Sequence, residues 1–104
     1  MEPYRVDVSE VAENDLHDIV RYIASQLSVP ITALSMMELL EEAMAGLSEM
    51  PQRFPPLADD RLSQKGYRRL AVKNHIVFFS IDEKNKAVDV ERILYSRRDW
   101  LRIL

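Results

Sequence analysis

Two arginine pairs, Arg68-Arg69 and Arg97-Arg98, and two proton-carrying residues, His75 and Tyr95, are the side chains here best equipped for chemistry. In principle they supply an acid or base and cations for cleavage of RNA, although neither His75 nor Tyr95 fits a nuclease pattern well. Attack by a ribose 2′-hydroxyl on its own phosphate needs a base, an acid for the leaving oxygen, and cations around the pentavalent phosphorane. Arginine meets the last need, and it pairs equally well with carboxylates of a partner protein. If the chain is a nuclease, its catalytic candidates are Arg68, Arg69, His75, Arg97 and Arg98. If it binds without cutting, the contact candidates are Arg68, Arg69, Tyr95, Arg97, Arg98 and Trp100, whose indole stacks but cannot shuttle protons. Each also has a structural role open to it. Arg68 and Arg69 can be solvated strand-edge charges, Arg97 and Arg98 can pair with Asp99, His75 can satisfy a local bond, and Trp100 can anchor a terminal helix on a sheet.

Metal chemistry has little support. Cysteine is absent, and the two histidines, His17 and His75, stand far apart in sequence. That pattern suits neither a thiolate site nor a histidine-rich one, and no metal or other cofactor is expected. His17, among acidic residues, reads as a surface group.

The 104 residues leave room for one domain, 1–104, with one modest core. Apolar residues at 47% and charged residues at 30% are a globular balance rather than a disordered one. Neither a basic, apolar leader nor an apolar run of about 20 residues is found, so a soluble cytoplasmic protein with no membrane partner is expected. The net charge of −3 hides an asymmetry: residues 1–60 carry three basic and twelve acidic side chains, residues 61–104 eleven basic and five acidic. Either one face is polarised toward a polyanion or an acidic partner, or helices here wear acids and strands wear bases.

The elements that would position these groups follow from periodicity. Tyr4 to Val8 alternates apolar and polar residues, a short strand with one buried face. Ser9 is a candidate N-cap, and Glu10, Glu13 and Asp15 suit the positive end of a helix dipole. Ala12, Leu16, Ile19, Ile23 and Leu27 then form one apolar stripe on a helix over about 10–27. A second helix starts near Pro30, with Ser28 as a possible cap. It carries Ala33, Met37, Leu40, Met44 and Leu47 on one face and stops at Pro51. The two read as an antiparallel helical hairpin, with the methionines at 36, 37, 44 and 50 as core packing. Residues 51–65 hold three prolines that forbid regular structure in their first half, and form a long connection. Strands are predicted at Arg69–Val72, His75–Ile81 and Ala87–Tyr95, separated by short turns at Lys73-Asn74 and Asp82–Lys86. The middle run is nearly continuous apolar, as suits a central strand. Ser96 to Leu104 can form a short terminal helix capped by Ser96. The fold expected is α+β: an N-terminal strand, a helical hairpin on a mostly antiparallel sheet of about four strands, and a short C-terminal helix.

Three segments resemble a known family. Tyr4-Arg-Val-Asp-Val-Ser9 with Ala12, Asp15-Leu16, Ile19 and Tyr22-Ile23 is similar to the opening of ParE-type toxins. Tyr67-Arg-Arg-Leu70 with Val72 and Asn74-His-Ile-Val-Phe-Phe79 resembles their central hairpin. Val88, Val90 and Arg92-Ile-Leu-Tyr95 followed by Arg97-Arg-Asp-Trp100 resembles their last strand and the basic turn after it. The ordered set covers nearly the whole chain and resembles the RelE/ParE superfamily, the toxin halves of type II toxin–antitoxin pairs, also called plasmid stabilisation proteins.

The resemblance implies growth inhibition held in check by a cognate antitoxin, which wraps an otherwise disordered segment over the toxin. It also implies one of two targets. RelE-like members cut messenger RNA in the ribosome without a metal, using basic and aromatic side chains on the sheet; ParE-like members poison DNA gyrase and are not thought to be nucleases. This sequence departs from the RelE-like pattern. Where such a site often places an arginine in the middle strand, the matching position is Ile76, and where a Tyr or His follows the C-terminal basic residues, Trp100 stands. ParE-like is therefore preferred, with gyrase as the target. A RelE-like ribonuclease and a non-toxic partner-binding module remain as alternatives. A homodimer or a toxin–antitoxin hetero-oligomer is also implied by analogy.

Overall fold

Eight-residue β3 (His75–Asp82) is apolar along most of its length because both of its faces are covered. It lies inside a four-stranded sheet of order β1-β4-β3-β2, with β1 at Arg5–Val8, β2 at Arg68–Val72 and β4 at Ala87–Tyr95. β2, β3 and β4 form an antiparallel meander, whereas β1 pairs parallel to β4 with Arg5 opposite Ala87. The computed structural model describes residues 2–26 and 30–104. The expected contributions of Leu27 and Ser28 lie outside the described residues.

The first face of the sheet carries the helices α1 (Glu10–Arg21) and α2 (Pro30–Ala45). Val88, Val90 and Ile93 of β4 and Val77 and Phe79 of β3 pack there against Ala12, Leu16, Leu40, Met44 and Leu47. Ser9 starts α1 as its sequence suggests, its Oγ accepting from the Ala12 amide at 3.0 Å. The same hydroxyl donates to the Glu91 carbonyl at 3.1 Å, which pins the helix start to β4 where the β3–β4 register slips. Glu91 is the extra residue of that bulge: Phe78 faces Arg92 and Phe79 faces Val90.

The second face is covered only in part. Ile76, Phe78 and Leu94 meet Leu57 and Leu62 from the connection, with Tyr67, Trp100, Ile103 and Leu104 against them. Leu62 sits on a short helix, α3 (Asp60–Gln64), capped by the Asp59 carboxylate, which accepts from the Leu62 amide at 3.1 Å. A helical turn at Pro51–Arg53 precedes it. The expectation of an irregular connection is thus corrected: proline is compatible with a first helical turn, and Asp59 supplies an N-cap.

Three helix ends also differ from expectation. After Arg21 the backbone widens into one π turn, Tyr22–Gln26, where the Ser25 hydroxyl donates to the Arg21 carbonyl at 2.6 Å and competes with the α-helical pattern. α2 ends at Ala45 and tightens into a 3₁₀ turn, Gly46–Ser48, that still buries Leu47. The terminal helix, α4 (Trp100–Ile103), begins four residues beyond Ser96, whose amide is occupied by the Asn74 carbonyl. Of the methionines, Met44 is buried and Met36 and Met37 pack on the core, but Met50 is exposed with a left-handed backbone ahead of Pro51.

Candidate functional site

The structure separates the residues that sequence put together. Arg68 is committed to the fold: its guanidinium donates to the Phe54 carbonyl at 2.7 Å and the Gln52 carbonyl at 3.3 Å. Arg69, next to it on edge strand β2, is exposed and stands opposite Phe78. Arg97 and Arg98 are exposed in the turn after β4, and neither pairs with Asp99, which instead lies 3.9 Å from Arg102. Trp100 packs its ring 5.4 Å from that of Phe78, on the second face. His17 is exposed.

Arg92 is bound by a partner that sequence reasoning misread. Its Nε and a terminal nitrogen donate to the two carboxylate oxygens of Asp15 at 2.7 and 2.9 Å, and the Ile93 amide donates to the same carboxylate at 3.0 Å. The hydrogen bond to Asp15 raises the Arg92 pKa above its ordinary value, although burial opposes it. Asp15 was read as a helix-dipole acid; it ties α1 to β4. Its place nearly two turns beyond Ser9, facing the sheet side with Leu16, is the only signal a sequence offers.

The open part of the second face is acidic. Val88 and Val90 point to the helices, so Asp89 between them points away, and Asp7 lies beside it across the β1–β4 register. Asp82 joins them. The hydrogen bond of Arg5 to Asp7 raises the Arg5 pKa first, and the charges of Asp7, Asp89 and Asp82 raise it further. Glu91 extends the patch: burial pushes its pKa up, the Asp89 charge adds to this, and the Ser80 hydroxyl at 3.5 Å opposes it. Tyr67 is raised in turn, by burial first and by the Glu91 charge second. Phosphate is repelled by such a surface.

The raised Glu91 carries a stability consequence. A carboxyl with a higher pKa in the folded state binds protons more readily there, so its contribution becomes unfavourable as pH rises through its folded value. Glu91→Gln is expected to stabilise the protein at neutral pH by no more than about 0.5 kcal/mol, since the group is largely solvent-screened. The gain should vanish below about pH 4, where the carboxyl is protonated in both states. Paired urea melts at the two pH values test this; an equal gain at both would show that the effect is not ionic.

At the opposite end of the sheet, a groove of about 740 Å3 runs between the helical hairpin and the ends of β3 and β4. Ile19, Ile23, Met36 and Ile93 line it, with His75, Tyr95 and Arg98 among its polar groups. His75 and Tyr95 face each other in the β3–β4 register with ring centroids 5.8 Å apart. The expected local bond of His75 is missing at one nitrogen: the residue is 9% exposed, and Nδ1 is buried without a hydrogen-bond partner among the described residues. Burial pushes the imidazole pKa below its ordinary value, which favours the neutral ring. His75, Tyr95 and Arg98 thus share one groove, while Arg68, Arg69 and Trp100 do not line it. Among the described residues, no group of three or more His, Asp and Glu could hold a metal ion.

The model of the ParE toxin of type II toxin–antitoxin systems (parDE) matches residues 6–100. The chain belongs to the ParE toxin family. Solved structures agree on the ParE-family fold. A chain of the chromosomal ParDE toxin–antitoxin system of P. aeruginosa superposes with a TM-score of 0.72 at 17% identity, over 88% of this chain and 95% of that one. A chain of the RelBE2 toxin–antitoxin complex of Mycobacterium tuberculosis gives a TM-score of 0.62 at 22% identity, over 89% and 98%. No curated protein sequence matches the chain. The expected superfamily and the expected α+β fold with its four-stranded sheet are thereby established.

Proposed function

We propose that residues 1–104 act as one unit, the growth-inhibiting member of a toxin–antitoxin pair, and that its target is DNA gyrase, reached through a protein surface rather than by cutting RNA. The observation carrying this reading is the acidic second face. RelE-like cleavage uses basic and aromatic side chains on the sheet, and here Asp7, Asp82, Asp89 and Glu91 crowd the open part of that face, where Arg5 is paired to Asp7 and Arg69 stands apart on edge strand β2. Two arginines that could have served are engaged elsewhere, Arg92 by Asp15 and Arg68 by backbone carbonyls. Arg69, Arg97 and Arg98, which make no ion pair among the described residues, together with Tyr95, are the candidate contacts for target or antitoxin; Trp100 is chiefly an anchor.

A cognate antitoxin is the expected partner. The helical hairpin leaves Ile31 80%, Leu34 56% and Tyr22 56% exposed, apolar area that a folding-on-binding segment would cover. The same exposed area fits either a toxin–antitoxin hetero-oligomer or a homodimer. Among the described residues no helix is long and apolar enough to cross a membrane, and a gyrase target places the action in the cytoplasm.

Induced expression in a bacterial host, with and without the neighbouring reading frame, tests this. Growth arrest with intact transcripts and impaired supercoiling, relieved by the neighbour, is the expected result. Arrest with cleaved transcripts would instead establish a ribonuclease and make Arg69, His75, Arg97 and Arg98 the first residues to replace. No arrest would leave a partner-binding module.

A further inference from the structure

We propose that the groove between the helical hairpin and the ends of β3 and β4 binds a small amphiphilic carboxylate: an apolar body of aromatic or branched-chain size bearing one anionic head. The dimensions fit. Small-molecule sites span roughly 300–1,000 Å3 and combine apolar walls with a few convergent polar groups, and this groove encloses about 740 Å3 between Ile19, Ile23, Met36 and Ile93.

The charge of the head group follows from which ions at the groove are already paired. Asp15 is neutralised by Arg92 at 2.7 Å, and Asp18 by Arg21 at 2.8 Å. Arg98 is left as the lining cation with no acidic partner among the described residues. A guanidinium offers a planar fork of donors that matches a carboxylate.

A second observation points to a ligand independently. His75, which also lines the groove, is nine-tenths buried, and its Nδ1 has no partner among the described residues. A buried polar atom left unsatisfied keeps its desolvation cost without compensation. Nδ1 itself is closed to solvent, so a polar group in the groove reaches it only when the ring turns over, an exchange that relieves the cost. Tyr95, edge-on to His75 and 41% exposed, stands where a head group would pass.

The test is calorimetric titration of the full chain with 4-phenylbutyrate, and with 4-phenylbutyramide as its uncharged match. Imidazole resonances are followed in parallel, with exposed His17 as the internal reference. The acid is expected to bind saturably, to shift the His75 ring signals and not those of His17, and to bind about tenfold more tightly than the amide, a difference of about 1.4 kcal/mol. Arg98→Gln, an exposed substitution compatible with folding, should bring the acid down to the level of the amide and leave the amide unchanged. Equal binding of acid and amide, saturation without a shift at His75, or full acid affinity in Arg98→Gln would each overturn the proposal. So would a groove that takes the carboxylate only as part of a peptide, because it would then be a protein-docking surface. None of these readings depends on gyrase or on toxicity, so this site and the proposed function stand or fall separately.

Discussion

Asp15→Ala is expected to destabilise the protein by about 3 kcal/mol, a large fraction of the 5–15 kcal/mol by which small domains are stable. The substitution does more than remove a charge. It strands the Arg92 guanidinium, whose side chain is 24% exposed, and deprives the Ile93 amide of its acceptor. Surface ion pairs contribute under about 1 kcal/mol because water screens them and compensates for their loss; here the carboxylate is 13% exposed and accepts three hydrogen bonds. Urea denaturation gives the cost. The double variant Asp15→Ala with Arg92→Met should recover part of it, since no stranded cation remains. A loss under about 1 kcal/mol, with no recovery in the double variant, would mean that the pair behaves as an ordinary surface bridge. The same cycle bears on function, because a guanidinium held this firmly cannot swing out to meet a phosphate.

Phe78→Ala is expected to cost about 4 kcal/mol, in the range for truncating a buried aromatic, and to act unevenly across the two faces. Phe78 is wholly buried in the smaller cluster, where Trp100 lies against its ring. The first-face core contains neither residue, so the helices should keep their packing while the second face loosens. Trp100 is the sole tryptophan and therefore reports that face alone. Its emission should shift to longer wavelength in the folded variant, with far-ultraviolet circular dichroism nearly unchanged. An unshifted emission would show that α4 is held by Ile103 and Leu104 rather than by the Phe78–Trp100 contact.

Much of this architecture was legible because its signals are local. Alternation over Tyr4–Val8, the continuous apolar run at β3 and the hydroxyl of Ser9 each report on neighbours within a few residues, and each element formed where they point. The short helix at Asp60–Gln64 was equally local but followed three prolines that argued against regular structure in the connection. Ser96 misled for the reverse reason: a good capping residue was recruited by a distant carbonyl, that of Asn74. The candidate site was the least legible part. Asp7 and Asp89 are 82 residues apart, and only the parallel pairing of β1 with β4 sets them on one patch. The Asp15–Arg92 pair and the groove shared by His75, Tyr95 and Arg98 are likewise products of long-range register, which periodicity does not encode.

The position of β1 constrains how the molecule comes into being. Among the described residues its only sheet neighbour is β4, and Arg5 cannot find Ala87 until nearly the whole meander has been synthesised. At translation rates of roughly 5–20 residues per second, several seconds separate the emergence of these two strands. Ser9 and Asp15, which fasten α1, also wait for β4 to supply the Glu91 carbonyl and Arg92. A nascent chain halted before residue 87 therefore holds a helical hairpin with only the β2–β3 pair to lie on and no β4 to pin α1. The finished surface exists only after synthesis is almost over, and that delay is a window in which a partner already present in the cell can be waiting when the fold closes.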